Sequence, residues 1–275
     1  MTLTQKLQAA DELRKINCRV DLSGGEVMLN KADHLILLDR LANNIGKENL
    51  GLSCSGAGID DDTARRISTL VSEVEMTMDA SPDRTFCFRP TKYHRTAAQA
   101  VRFLTKYGVR VGMQTVVTQA HKTGVLEDLY SWLCEAGINN WSILKFFPSG
   151  RGRDFPYLEL TDSECLNIVN RIKALDAGNT SARKPKLDIH YQMPGTEKAG
   201  QCRCVKKSVG ILPDGRVTAC FWGLDAEGRL LDDRFLLGDL TRQGIEEVLA
   251  GPNAMYWKNY CGECQIGIKE MEGAA

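Results

Sequence analysis

Short apolar runs of strand length alternate with helix-period segments along most of this chain, and that alternation restricts the fold more than any other feature. The runs cover 19–22, 50–54, 74–78, 109–117, 141–146 and 187–191, each bounded by polar or turn-forming residues. Between them lie stripes at three- and four-residue spacing: Leu35, Leu38, Ala42 and Ile45; Ile67, Leu70, Val71 and Val74; Ala97, Val101 and Leu104; Leu126, Leu129, Tyr130 and Leu133; Cys165, Ile168, Val169, Ile172 and Leu175. Each stripe gives a helix one apolar face to bury. Strands separated by a helix cannot close through a tight hairpin, so the pattern predicts an α/β fold of parallel strands joined by crossovers. Periodicity alone leaves an open doubly wound sheet and a barrel equally open.

The chain opens on a helix rather than a strand. Thr2 and Gln5 have capping-box spacing, and Leu3, Leu7, Ala10 and Leu13 carry the helix toward the strand at 19–22. A helix in this position normally packs on the strand before it, so the expectation is that a sheet strand is missing from the front. A free-standing helix that covers the sheet is the alternative.

Charge excludes some function classes. Among 275 residues, 35 Lys and Arg balance 35 Asp and Glu, which leaves no net field to attract nucleic acid or an anionic membrane. Apolar clusters such as 35–38 fall short of the ~18 residues of a spanning helix. The first residues lack a basic region followed by an apolar stretch, so no secretory signal is read and a cytoplasmic protein is expected. Ten cysteines in a reducing compartment do not read as disulfides. Five of them, Cys202, Cys204, Cys220, Cys261 and Cys264, gather near the C-terminus, where clustering points to metal or cluster ligation.

Two motifs carry chemistry. The strand at 19–22 ends in Ser23-Gly24-Gly25-Glu26; paired glycines let a backbone turn sharply and approach a ligand, and ligands of α/β proteins sit at the carboxyl ends of parallel strands. Glu26 there suits an ammonium group, although a plain strand-to-helix turn also accounts for Gly-Gly. In the C-terminal region, 209–212 and 216–220 flank the turn Pro213-Asp214-Gly215 and read as a hairpin. Cys202 and Cys204 precede it, Cys220 ends it, and Cys261-Gly262-Glu263-Cys264 follows as a C-x-x-C hook. Four thiolates from two hooks make a four-cysteine site, and zinc and an iron-sulfur cluster use the same ligands.

At these residues the sequence resembles the radical S-adenosylmethionine (SAM) enzymes that carry a C-terminal auxiliary-cluster extension of the SPASM/twitch type. Cys202, Gly215 and Cys220 match the extension's signature, with Cys202 fitting the spacing better than Cys204, and the later C-x-x-C follows at Cys261 and Cys264. Leu237-Gly238-Asp239-Leu240 stands where the family usually has Gly-Asn-Leu. With no cysteine after Cys264, the resemblance is to the shorter twitch form with one auxiliary cluster. In the body, Gly24-Gly25-Glu26 is similar to the Gly-Gly-Glu motif that holds the amino group of SAM, with Val27 in place of the usual proline. The run Val74-Glu75-Met76-Thr77-Met78-Asp79 resembles the fourth strand, whose polar residues lie near the SAM ribose. Arg95 resembles a basic residue of the following segment, and 141–150 resembles the sixth strand with its Pro-x-Gly exit.

The resemblance implies a partial (β/α) TIM-like barrel over 1–194 lacking its first strand, then a small Cys-rich α+β extension over 195–275. It implies a [4Fe-4S] cluster and SAM as cofactors. Gly24, Gly25, Glu26, Thr77 and Arg95 would touch SAM, and Cys202, Cys220, Cys261 and Cys264 would hold metal, with Cys204 as alternate. A peptide or small-molecule substrate and an electron donor protein are the implied partners, the substrate being modified through a 5′-deoxyadenosyl radical.

One departure bears on catalysis. The family binds its SAM-cleaving cluster through Cys-x-x-x-Cys-x-x-Cys, and no such run exists here; Cys18, Cys54, Cys87, Cys134 and Cys165 are too far apart to replace it locally. The expectation is a fragment, or a product begun at an internal Met, of a radical SAM enzyme. The rival is a natural short form, a non-catalytic four-cysteine metal-binding or peptide-binding module on a decayed barrel. No catalytic base or radical relay is named. His34, His94, His121 and His190 are isolated and read as solvated or satisfied, Asp60, Asp61 and Asp62 as a helix N-terminal acidic run, and Trp222 and Trp257 as packing around the Cys module.

Overall fold

The computed structural model describes residues 1–84, 89–196 and 201–266; Cys87 and the last nine residues lie outside them. The chain divides into two compact units, one formed by Cys18–Phe146 and Leu160–Thr196, the other by Met1–Asn17, Phe147–Glu159 and Glu197–Ala275.

The first unit is built on six parallel strands, β1 (Val20–Leu22), β2 (Leu50–Cys54), β3 (Glu73–Thr77), β4 (Arg110–Val117), β5 (Asn140–Lys145) and β6 (Lys186–Ile189), which lie side by side in chain order. Every neighbouring pair is parallel. This order decides between the two architectures that periodicity left open. A doubly wound sheet reverses its strand order at a switch point, and here nothing reverses, so the sheet is singly wound in the manner of a partial barrel. The crossovers are α2 (Lys31–Ile45), α3 (Asp61–Leu70), α4 (Tyr93–Lys106), α5 (Val125–Ala136) and α6 (Asp162–Gly178).

Register separates the two faces of the sheet. Leu52, Val74 and Val111 form one row and Met76, Met113 and Trp141 the next, all buried together with Ala97, Val101, Leu104, Leu126, Leu129, Leu133, Ile168 and Ile172 of the crossover helices. Each such large side chain contributes about 1.5–3 kcal/mol on leaving water. The opposite face carries Ser53, Glu75, Gly112 and Asn140 in one row and Thr77, Gln114, Ser142 and Asp188 in another. A parallel sheet packed on both faces is apolar throughout; this polar face therefore lines a space for water or ligand. Near its amino end Arg19 pairs with Asp21 at 2.9 Å and Glu73 at 2.5 Å, and Arg110 with Glu73 at 2.7 Å. A side chain on Gly51 would meet Asp21 Oδ1 at 2.1 Å, so glycine there makes room for the ion pairs.

Two stripes differ from the reading above. Helix α2 buries Leu37, Leu38 and Leu41 and leaves Ile36 exposed. Val71 takes extended backbone and ends α3, which moves Val74 out of the helix and into β3.

The second unit holds α1 (Leu3–Leu13), an antiparallel sheet of β7 (Gly210–Ile211), β8 (Arg216–Thr218) and β9 (Leu236–Asp239), and helices α7 (Ile245–Ala250) and α8 (Pro252–Asn259). The Thr2–Gln5 capping box is formed. Glu12 on α1 accepts from the backbone N–H of Ile245 at 3.1 Å and so caps α7, which places the first helix with the Cys-rich segment rather than with the sheet. Residues 147–159 group there as well, so this unit is discontinuous in sequence where a single boundary at 194/195 was expected. Among the described residues no helix is long and apolar enough to cross a membrane.

Candidate ligand and metal sites

At the carboxyl end of β1 the chain turns through Gly24 at φ +101° and Gly25 at φ +55°. A Cβ at either position would meet nothing within 4 Å; the glycines serve the backbone angle and leave the space above them open. Glu26 begins the short 3-10 turn Val27–Asn30 by accepting from Met28 N at 3.3 Å. Its other oxygen accepts from the N–H of Ser55 at 3.0 Å and from the Ser55 hydroxyl. One carboxylate thus joins the ends of β1 and β2.

Thr77, last residue of β3, hydrogen-bonds to Tyr93 of α4. Burial raises the Tyr93 hydroxyl, the Arg89 charge opposes this, and Asp79 and Glu26 add to it. Gly24, Gly25, Glu26 and Thr77 are therefore drawn toward one strand end, with Tyr93 as the link. Arg95 is not: two residues beyond Tyr93 it lies ~200° further round the helix, its side chain is 64% exposed and its partner is Asp83 at 3.5 Å. The basic group beside Tyr93 is Arg89, whose Cζ stands 5.0 Å from the ring centroid and whose Nε donates to Asp79 at 2.5 Å.

Asp79 organises a buried polar network that the sequence did not announce. Its other oxygen accepts from Val116 N at 3.1 Å, its N–H donates to His94 Nε2 at 3.3 Å, and its carbonyl oxygen meets His121 Nε2 at 2.8 Å. These bonds fix both tautomers. His94 accepts at Nε2 and so donates from Nδ1 to the Arg84 carbonyl at 3.2 Å; His121 accepts from Thr118 N at 2.9 Å through Nδ1 and donates from Nε2. Burial lowers both imidazoles, which keeps them neutral. Both rings have each nitrogen paired within the chain. The only sequence signal was a polar residue, Asp79, two positions beyond the end of β3.

In the second unit the Pro213–Gly215 turn closes with Gly215 at φ +101°, bonds Gly215 N to Leu212 O at 2.9 Å and Leu212 N to Arg216 O at 2.8 Å. Strand β8 delivers Cys220. Gln201 pairs antiparallel with Glu263, and Cys202 N donates to Gly262 O at 3.2 Å, so the C-x-x-C hook lies alongside Cys202. Cys204 hydrogen-bonds to both Cys202 and Cys220. That contact draws the Cys202 thiol down to about 6 and lowers Cys220, while Cys204 itself is raised. Cys18, Cys54 and Cys134 behave oppositely: burial raises each, Cys54 to about 12, and they stay inert thiols. Cys264 is half-buried and Cys261 exposed. Among the described residues no three His, Cys, Asp or Glu side chains already converge on one point. The donor chemistry nevertheless suits a four-thiolate centre: Cys204 touches Cys202 and Cys220, and the backbone of the C-x-x-C hook runs beside Cys202. Aromatic packing frames the unit as expected: Trp222 stands 5.0 Å from Phe147, and Trp257 stacks on Phe235 at 4.8 Å and donates to Arg234 O at 2.6 Å.

Residues 202–265 match the SPASM family, described as an iron-sulfur cluster-binding domain. Native anSMEcpe with bound AdoMet and Kp18Cys peptide superposes with a TM-score of 0.69 at 16% identity, over 94% of this chain and 74% of that one. Streptococcus suis SuiB bound to S-adenosylmethionine gives 0.73 at 11% identity, over 98% and 67%. SuiB bound to precursor peptide SuiA gives 0.73 at 10% identity, over 98% and 66%. No curated protein matches the chain in sequence. Sequential parallel sheet, Cys-rich unit and these likenesses together identify a protein of radical SAM fold that carries a SPASM iron-sulfur cluster-binding segment.

Proposed function

We propose that this chain is the barrel and auxiliary-cluster portion of a radical SAM enzyme that modifies a peptide. The carrying observation is that all five C-terminal cysteines fall within the segment matching an iron-sulfur cluster-binding domain, where Cys204 hydrogen-bonds to Cys202 and Cys220. Support for the substrate class comes from the fold neighbours, which hold the Kp18Cys and SuiA peptides. The chemistry of such an enzyme would be one-electron cleavage of SAM followed by hydrogen abstraction from the substrate, and the cluster supplying that electron would be distinct from the auxiliary centre, because these residues hold no Cys-x-x-x-Cys-x-x-Cys run.

The chain's own residues divide that work. Gly24 and Gly25 present open backbone to the SAM ammonium and Glu26 supplies its charge, held at the strand end by Ser55. Thr77 and Tyr93 flank the same end. Arg89 takes the place read for Arg95, because Asp79 and Tyr93 hold it there. Cys220, Cys261, Cys264 and one of Cys202 and Cys204 hold the auxiliary cluster, and Cys204, touching two of its neighbours, is the better placed of the pair. The polar sheet face is the space a substrate needs and a decayed barrel does not.

Anaerobic reconstitution with iron and sulfide tests this reading. A brown protein with about four irons per chain is expected, and Cys220→Ser should lose most of them. Stoichiometric zinc with no iron uptake would defeat it.

A further inference from the structure

The segment between the first two C-terminal cysteines and β7 is held in an unusual shape. Val205 has φ +60°, a left-handed conformation that is an outlier for a β-branched residue. Short bonds over-determine it: Lys206 N to Cys204 O at 2.7 Å, Val205 N to Ser208 O at 3.0 Å and Lys207 N to Arg203 O at 3.2 Å. The result is that Lys206 projects from the Cys202–Cys204 hook onto the other one. Its Nζ donates to the carbonyl of Tyr260 and lies 3.9 Å from Cys261 Sγ. Strain of this kind persists only where its surroundings compensate for it, and what it achieves here is a cation fixed between two thiol hooks.

We infer that Lys206 is the resident counter-charge of the auxiliary cluster, a positioning residue that raises the cluster's reduction potential. The inference rests on the cluster reading above. Four thiolates around a [4Fe-4S]2+ core carry a net charge of −2, and uptake of one electron makes it −3. An ammonium ion near one ligand sulfur stabilises the reduced state more than the oxidised one, because the attraction scales with the charge; hydrogen bonds to cluster sulfurs act in the same direction. Lys206 is solvent-exposed, so screening limits the effect to roughly tenfold in the one-electron equilibrium constant, about 59 mV.

The test is a potentiometric titration of the full chain after anaerobic reconstitution, with dithionite as the one-electron donor and the reduced-cluster electron paramagnetic resonance signal as readout. Lys206→Gln should retain its iron and show a potential lower by about 59 mV. Lys206→Arg, which keeps the charge, should return most of that shift. An iron-loaded Lys206→Gln titrating at the wild-type potential would overturn the inference. So would a folded Lys206→Gln that no longer holds iron, since the lysine would then hold the loop rather than tune the centre. Wild-type protein that takes zinc and no iron removes the cluster reading itself, an outcome visible before any variant is made.

Discussion

Asp79 is wholly buried and both of its carboxylate oxygens are committed, one to Val116 N and one to Arg89. Asp79→Ala would leave a buried N–H unpaired, at about 1–3 kcal/mol, and strip Arg89 of its counter-ion. Because Arg89 is 24% exposed, water relieves part of the second loss, and the expected total is about 3 kcal/mol, read as a lowered urea midpoint. The two buried histidines beside Asp79 give the fold a pH dependence. His94 faces Asp79 and Arg89, and His121 faces Asp79 and Arg171; both imidazoles titrate below their ordinary value because they are buried. The unfolded chain therefore takes up protons first as pH falls. Their stabilisation is complete above ~6.5 and drains away below it as the folded-state values are approached. Urea midpoints between pH 7.5 and 5.5 should fall, and His121→Gln should fall less steeply, by up to about 1.4 kcal/mol per pH unit. The partners in this network were not legible in sequence. A linear reading cannot tell that Arg89, before α4, rather than Arg95, within it, ends beside Tyr93, and isolated histidines carry no spacing to interpret.

At the scale of elements, two glycines that look alike in sequence have different work. Gly24 has φ +101° and open space where a Cβ would go; Gly215 has the same φ, and a Cβ there would meet Thr241 Cγ2 at 2.5 Å and Asp239 Oδ1 at 3.2 Å. Gly24→Ala should cost only backbone strain, about 1–2 kcal/mol. Gly215→Ala adds the clash and should cost distinctly more, because the β7–β8 turn is also held by the bond from Leu240 N to Gly215 O at 2.9 Å. Thermal melts of the two variants check the order, and equal losses would refute it. The six parallel strands were readable to within a residue or two since each is a short run bounded by turn residues, whereas β9 carried no such signal. What the sequence could not show is partnership. Nothing in Leu3, Leu7, Ala10 and Leu13 says that α1 will pack beside α7 instead of a strand, since that depends on Glu12 reaching Ile245, 233 positions away. The Cys module was legible for the opposite reason, because a hook of two thiols keeps its meaning wherever the chain carries it, and the C-x-C of Cys202 and Cys204 marked the fifth thiol.

At the scale of the whole molecule the two candidate sites call for different coordination chemistry. SAM is cleaved by electron transfer from an iron with an open position, and such an iron needs a cluster held by three cysteines only. The 275 residues hold no Cys-x-x-x-Cys-x-x-Cys run. In the first unit, Cys18, Cys54 and Cys134 have thiols raised by burial, which disfavours the thiolate a metal requires. The second unit carries five cysteines within the segment that matches an iron-sulfur cluster-binding domain, one more than a four-thiolate cluster uses, so every iron of such a cluster would be capped by protein sulfur. These 275 residues, reconstituted and supplied with SAM and dithionite, should therefore release no 5′-deoxyadenosine beyond the level of a cluster-free control. Chromatography of the quenched mixture measures it. Multiple turnovers would mean that one of the five thiols leaves its iron open, and Cys202→Ser and Cys204→Ser, made separately, would show which.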